Sequence, residues 1–210
     1  VALAIAKTGD DTSTSLATTT IVVEPGLLHR IVLEPSNPNV IAAGSEQFTV
    51  KAFDRFGNVI SGLASELSAG DSAGQINAGG VFTASTKAGQ YEAAIKAVVT
   101  QGPATETATA DVTIEPGVLT EVRLKPDTVG LNIGESQEFT ATAVDIYGNP
   151  LPNARLTWRI DQRIGTISTS GLVTAGNIAG FYENGVTAAL LSVEATASIT
   201  VNPDSPAKVT

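Results

Sequence analysis

The 210-residue chain contains no cysteine and no methionine. Without cysteine there can be no disulfide, no thiolate nucleophile and no Cys-ligated metal. A cysteine-free chain fits the cytosol and equally fits exported bacterial proteins, so this absence assigns no compartment. With Val1 at its start, the sequence reads as a processed or excised piece, and the lack of a visible signal peptide does not argue against export. Basic residues are scarce: 12 Lys and Arg face 21 Asp and Glu, and the net charge of −9 repels nucleic acid and anionic lipid. No apolar run approaches the ~20 residues that span a bilayer, so membrane insertion of this segment is not expected. Even the most apolar tract, residues 185–201, is interrupted by Ser192, Glu194 and several threonines. Aromatics make up only 5% of the chain, so its cores must rest on aliphatic side chains. With one histidine, His29, no cysteine and no Gly-rich phosphate loop, the usual routes to catalysis are missing, and an enzyme is not expected.

What the chain has is repetition. Residues 145–158 read DIYGNPLPNARLTW, and residues 54–67 read DRFGNVISGLASEL. In each, a strand pattern ends in Asp, passes through a Gly-Asn turn and resumes with a large apolar residue. Gly148 follows Gly57 by 91 positions, and Pro116 follows Pro25 by the same interval. The period divides the chain into residues 1–26, the closing hairpin of an incomplete repeat; 27–117 and 118–202, two complete repeats; and 203–210, the first strand of a further one. Near the end the offset falls from 91 to 87, which places a deletion in the last hairpin of the second repeat. No segment of helical length carries a 3.6-residue period. Each repeat offers about seven short strands separated by turn signals, which predicts an all-β sandwich rather than a short-period solenoid. Within the first repeat, Leu27, His29, Ile31 and Leu33 share one face, and residues 47–54 read as a single strand with Phe48, Val50 and Ala52 inward.

Four motifs of the second repeat carry a resemblance: DIYGNPLP at 145–152, GTIS at 165–168, GLVTAG at 171–176, and Ala179-Gly180 ahead of a Val-Thr-Ala strand at 186–188. In these the chain resembles the bacterial immunoglobulin-like domains of large surface proteins, including the invasin and intimin adhesins. The first repeat departs at Val59, Ser61 and Leu67, where the second has Pro150, Pro152 and Trp158. The resemblance implies tandem immunoglobulin-like sandwiches and is unspecific for function.

The turn residues are the candidate structural sites. Asp54 and Asp145 should accept backbone N–H groups of the turns they open. Gly57, Asn58, Gly148 and Asn149 suit positive φ or turn conformations, and Trp158 is expected between the two sheets of its sandwich. In an immunoglobulin-like domain this turn lies at the end where the chain enters, so linker Glu24 and Glu115 could meet Asp54 and Asp145. Such acidic pairs at domain junctions would suit calcium, although two carboxylates do not compel it, and no other cofactor is implied. Phe56 and Tyr147, inside the turns, either stiffen the joint with the preceding domain or cap their own cores. The expected function is a non-catalytic spacer in an extracellular, cell-surface protein: an adhesin stalk, a surface layer or a filament. The expected partners are neighbouring domains of the same chain or identical subunits, with a host receptor, surface receptor or glycan open. The alternatives are an accessory or carbohydrate-binding module of a secreted enzyme, with Tyr147 or Tyr182 as its aromatic platform, or a filament subunit that assembles by strand complementation.

Overall fold

The computed structural model describes residues 2–6, 15–19 and 21–203, and these contain strands but no helix. Strands β1 (Ala2–Ala6) and β2 (Ser15–Thr19) pair antiparallel. Residues 204–210, where a further repeat is expected to open, lie outside the described residues.

The next unit comprises β3 (Leu28–Glu34), β4 (Asn39–Ile41), β5 (Ser45–Gln47), β6 (Thr49–Asp54), β7 (Val59–Ile60), β8 (Ser65–Ala69), β9 (Gly74–Ile76), β10 (Val81–Ala84), β11 (Gly89–Gln101) and β12 (Ala104–Glu115). One sheet has the order β4-β12-β11-β8, and two three-stranded sheets, β3-β6-β7 and β5-β10-β9, complete the sandwich. The second unit repeats the plan with β13 (Glu121–Lys125), β14 (Thr128–Asn132), β15 (Ser136–Glu138), β16 (Thr140–Val144), β17 (Thr157–Ile160), β18 (Gly165–Ile167), β19 (Leu172–Ala175), β20 (Gly180–Leu190) and β21 (Val193–Asn202). Its sheets are β14-β21-β20-β17, β13-β16 and β15-β19-β18. The counterpart of β7 is reduced there to a single bridge between Val144 and Pro150. Proline supplies no N–H to a ladder and sits at sheet edges, and Pro150 is exposed at this one.

Each unit encloses its own core. Phe48, Phe82, Ile95, Val99, Val112 and Ile114 fill the first. Leu131, Phe139, Ile164, Val173, Val186 and Ile199 fill the second. Burying side chains of this size contributes on the order of 1.5–3 kcal/mol each.

Three expectations are corrected. Residues 47–54 are not one strand: β5 pairs with β10 and β6 with β3, so the chain changes sheets at Phe48. Alternation continues through that corner because Phe48 still points inward, 1% exposed. Its N–H donates to the Gly80 carbonyl at 2.8 Å, and Phe139 does the same to Gly171 at 2.9 Å. A Cβ on Gly80 would lie 2.3 Å from the Phe48 carbonyl oxygen, and one on Gly171 2.4 Å from that of Phe139, so only glycine fits either turn.

Second, Leu27 and His29 are exposed, because the β3–β6 register shifts between Leu28 and Arg30. The bulge moves the inward position to Leu28 while Ile31 and Leu33 stay buried. Third, Trp158 is half-buried and does not fill the centre of its sandwich; Phe139 and Ile164 do. The indole lies beside the Gly171 turn, where a Cβ would come 2.8 Å from its ring.

The shorter offset at the end of the second unit has a simple form. β11 and β12 have 13 and 12 residues, while β20 and β21 have 11 and 10. Removing two residues from each arm preserves which side chains face inward; removing one would have inverted them.

Candidate functional site

The two Asp-x-x-Gly-Asn turns have nearly identical geometry. Asp145, 2% exposed, directly follows β16. Its Oδ1 accepts the backbone N–H groups of Tyr147 and Asn149, both at 2.9 Å. Its Oδ2 accepts the linker N–H of Gly117 and the side-chain Nδ2–H of Asn149, both at 2.8 Å. Asp54, also 2% exposed, accepts from Phe56, Asn58, Gly26 and the Asn58 side chain at 2.8–2.9 Å. Gly57 and Gly148 close the turns at φ +87° and +84°.

Each carboxylate thus collects four donors and ties the incoming linker to its own domain. The backbone N–H of Gly26 and the Asn58 side chain hold the Asp54 carboxyl well below the usual carboxylate range, outweighing the upward push of burial. At Asp145 burial is the largest influence and pushes upward. The Asn149 side chain and the N–H groups of Gly117, Asn149 and Tyr147 together reverse it, so the net shift is downward.

Asn149 does something further. Its Oδ1 accepts the Ala88 N–H at 2.9 Å, and its Nδ2 donates to the Thr86 carbonyl at 2.8 Å. Thr86 and Ala88 belong to the loop that leads into β11 of the other sandwich. The side-chain amide therefore reads a backbone acceptor and donor two residues apart, while its second Nδ2 hydrogen stays on Asp145. Between them, the Lys87 carbonyl accepts the Tyr91 hydroxyl at 2.9 Å, which fixes the loop that Asn149 grips. This tyrosine lies near the start of its strand and bonds back four residues, as in the tyrosine corner of immunoglobulin-like sandwiches. Tyr182 repeats the arrangement, its hydroxyl donating to the Ile178 carbonyl at 3.0 Å.

Of the residues expected at the joints, Glu115 is placed differently, and the sandwich that Glu24 and Phe56 would face lies largely outside the described residues. Glu24 is exposed, and Glu115 accepts a hydrogen bond from Asn39 of its own sandwich at 3.0 Å. Phe56 is 72% exposed under the Arg55 guanidinium, and Tyr147 is 48% exposed. The hydrogen bonds that cross the joint come from Asn149. Neither glutamate shares a site with the turn aspartates, whose acceptor positions are filled by N–H groups rather than left open to a cation. Among the described residues, no group of three or more His, Asp and Glu is placed to hold a metal ion. Tyr182 is 7% exposed with Arg163 over its ring, so it offers no aromatic platform to a sugar.

Sequence reasoning placed Asn149 in a turn and missed its second role, because its partner is backbone 61 and 63 residues earlier. Backbone partners leave no mark in residue identity. The visible signal was the shared 91-residue spacing of Asn58 with Asn149 and of Tyr91 with Tyr182.

No protein-family model matches the chain, and no curated protein matches it. Solved structures do. The Escherichia coli adhesin FdeC aligns over 87% of this chain and 67% of its own, at 22% identity and a TM-score of 0.56. Extracellular cadherin domains 3–6 of protocadherin gamma B2 align over 92% of this chain and 55% of theirs, at 14% identity and a TM-score of 0.50. The surface-layer protein SbsC, domains 1–6, aligns over 94% of this chain at 17% identity and a TM-score of 0.42, and the chain spans 31% of its length. The first two likenesses show the fold: tandem all-β sandwiches of the immunoglobulin-like and cadherin-like kind.

Proposed function

We propose that this chain is a non-catalytic spacer from an extracellular, cell-surface protein, in which immunoglobulin-like sandwiches follow one another at joints that resist bending. The observation that carries the reading is the Asn149 clasp. A linker alone limits reach; a linker tied to Asp145 through Gly117, with an amide bridging to residues 86–88, also limits rotation. Pro116 adds a fixed φ to the same short segment. Each sandwich has its own core, so length grows by adding units without redesigning any of them. The adhesin likeness agrees in fold with a surface role, and partners of the whole protein would be met by its distal domains or by neighbouring subunits. The buried Tyr182 and the sparse aromatics weigh against a carbohydrate-binding module.

The test is whether the sandwiches tumble together. Nitrogen-15 relaxation on the 210-residue chain should give one rotational correlation time for residues 28–115 and 121–202. Separate times, each near that of a ~90-residue domain, would remove the spacer reading.

A further inference from the structure

The clasp at Asn149 joins one turn to one loop, yet the chain holds two such turns and two such loops. We infer that the unused pair, Asn58 and the backbone of residues 177–179, are the two halves of the same clasp, formed for further repeats of this kind. Asn58 would grip the loop of a preceding sandwich, and residues 177–179 would be gripped by the turn of a following one. The inference rests on the spacer reading and specifies what that reading leaves open, namely what the two ends recognise.

The turn half is already shaped. Asn58 donates Nδ2–H to Asp54 at 2.9 Å, as Asn149 does to Asp145 at 2.8 Å, so its amide is held in the gripping orientation. Asn149 is 8% exposed, whereas Asn58 is exposed and its Oδ1 has no partner among the described residues. The turn that carries Asn58 borders an open hollow of about 340 Å³, lined by Gly26, Leu27, Leu28, His29, Asp54, Arg55 and Phe56.

The loop half is shaped as well. Asn177, Ile178 and Ala179 correspond to Thr86, Lys87 and Ala88 at the 91-residue offset. The Tyr182 hydroxyl fixes the Ile178 carbonyl as Tyr91 fixes that of Lys87. The Asn177 carbonyl and the Ala179 N–H, the groups an incoming amide would read, have no hydrogen-bond partner among the described residues, and all three residues are exposed. Because both halves are preset, little ordering opposes their union. The partner is therefore a sandwich bearing an Asp-x-x-Gly-Asn turn at its entry, docked end to end.

The test joins two copies in one polypeptide, Pro203 of the first leading into Gly26 of the second, and follows amide hydrogen exchange. The Ala179 amide of the first copy should exchange about tenfold more slowly than in the single chain, the effect of roughly one hydrogen bond. Asn58→Ala in the second copy should return it to the single-chain rate; Asn58 is exposed, and the remaining amide pattern reports whether that copy stays folded. Ala88 is the internal standard, protected throughout and released by Asn149→Ala. If Ala179 exchanges equally fast in the tandem and the single chain while Ala88 is protected, this inference falls and the spacer reading stands. If Ala88 itself is unprotected, both fall.

Discussion

The two sandwiches have the same frame and different fillings. Where the first places Phe82, Ala73, Leu67 and Val40, the second has Val173, Ile164, Trp158 and Leu131. Phe82 is fully buried and meets Phe48 edge to face at 6.1 Å, whereas Val173 leaves that volume to be supplied from Ile164, also fully buried. Volume has moved between neighbouring positions of one sheet, while Phe48 and Phe139, at the sheet-changing corner, have stayed. Cores tolerate redistribution of this kind when total volume and pattern are kept. The unchanged elements are those the backbone requires: the turn aspartates, the tyrosine corners, the glycines at the corner and the positive-φ positions.

The largest test of that comparison is to empty the same place in both cores. Phe82→Ala should destabilise the first sandwich by about 3–5 kcal/mol, and Val173→Ala the second by roughly 2 kcal/mol. Trp158 is the only tryptophan, so fluorescence follows the second sandwich alone while circular dichroism follows both. Phe82→Ala should leave the fluorescence transition within about 0.5 kcal/mol of wild type, since separate cores add independently. A fall in both transitions would mean that the two units share one cooperative interior.

Next in size are the turns. Asp145→Ala strands four N–H groups, including Gly117 of the linker, and should lower the fluorescence midpoint on the order of 10 °C. Both turn carboxyls are held below their ordinary pKa, so each stabilises fully above the unfolded value of about 3.9 and loses that contribution as pH falls toward its folded value. Thermal midpoints should therefore hold between about pH 7 and pH 5 and decline below about pH 4. Asp145→Asn should be less stable at neutral pH and show a shallower acid decline in the fluorescence signal. An equally steep decline would assign acid lability to other groups.

Smaller still is the difference between Asn149 and Asn58. Both side chains bond their turn aspartate, but only Asn149 also bridges to Thr86 and Ala88. Asn149→Ala should cost about 1 kcal/mol more than Asn58→Ala, and it alone should separate the correlation times of the two sandwiches. Equal costs and unchanged tumbling would make the clasp incidental. This pair also marks how far sequence reasoning reaches. The 91-residue period, the strand alternation, and the Asp and Gly of the turns were legible because they are local and repeat. The bulge that turns His29 outward was not, because an inserted residue leaves the apolar spacing on either side intact. The corner at Phe48 was hidden for the opposite reason: the alternation runs through it unbroken while the pairing partner changes. The clasp was illegible because one of its halves is backbone.

The finest distinction lies at positions where both sandwiches demand positive φ and fill it differently. In β11 the register with β12 shifts between Tyr91 and Ile95, and Ala93 takes φ 47°; in β20 the matching residue is Asn184 at φ 53°. Alanine in this region carries a steric cost that asparagine largely avoids. Both N–H groups are satisfied, Ala93 by Asp111 Oδ1 at 2.7 Å and Asn184 by Ser198 Oγ at 3.3 Å, so the backbone geometry is shared. Asn184 gains a further bond, its Oδ1 accepting the Thr196 hydroxyl at 2.7 Å, and the residue matching Thr196 in the first sandwich is Thr109. Ala93→Asn should therefore find a donor already in place and stabilise the first sandwich by about 0.5–1 kcal/mol, with Asn184→Ala lowering the second by a similar amount. Ala43, at φ 60° where the second sandwich has Gly134 at φ 78°, gives an independent check. Ala43→Gly relieves the same steric cost but loosens the unfolded chain, so its gain should be smaller than that of Ala93→Asn. The measurement is the midpoint of the first transition in circular dichroism, with the Trp158 signal of the second sandwich as the unchanged reference. A loss of stability on Ala93→Asn would show that the bulge in β11 is shaped by something its counterpart in β20 lacks.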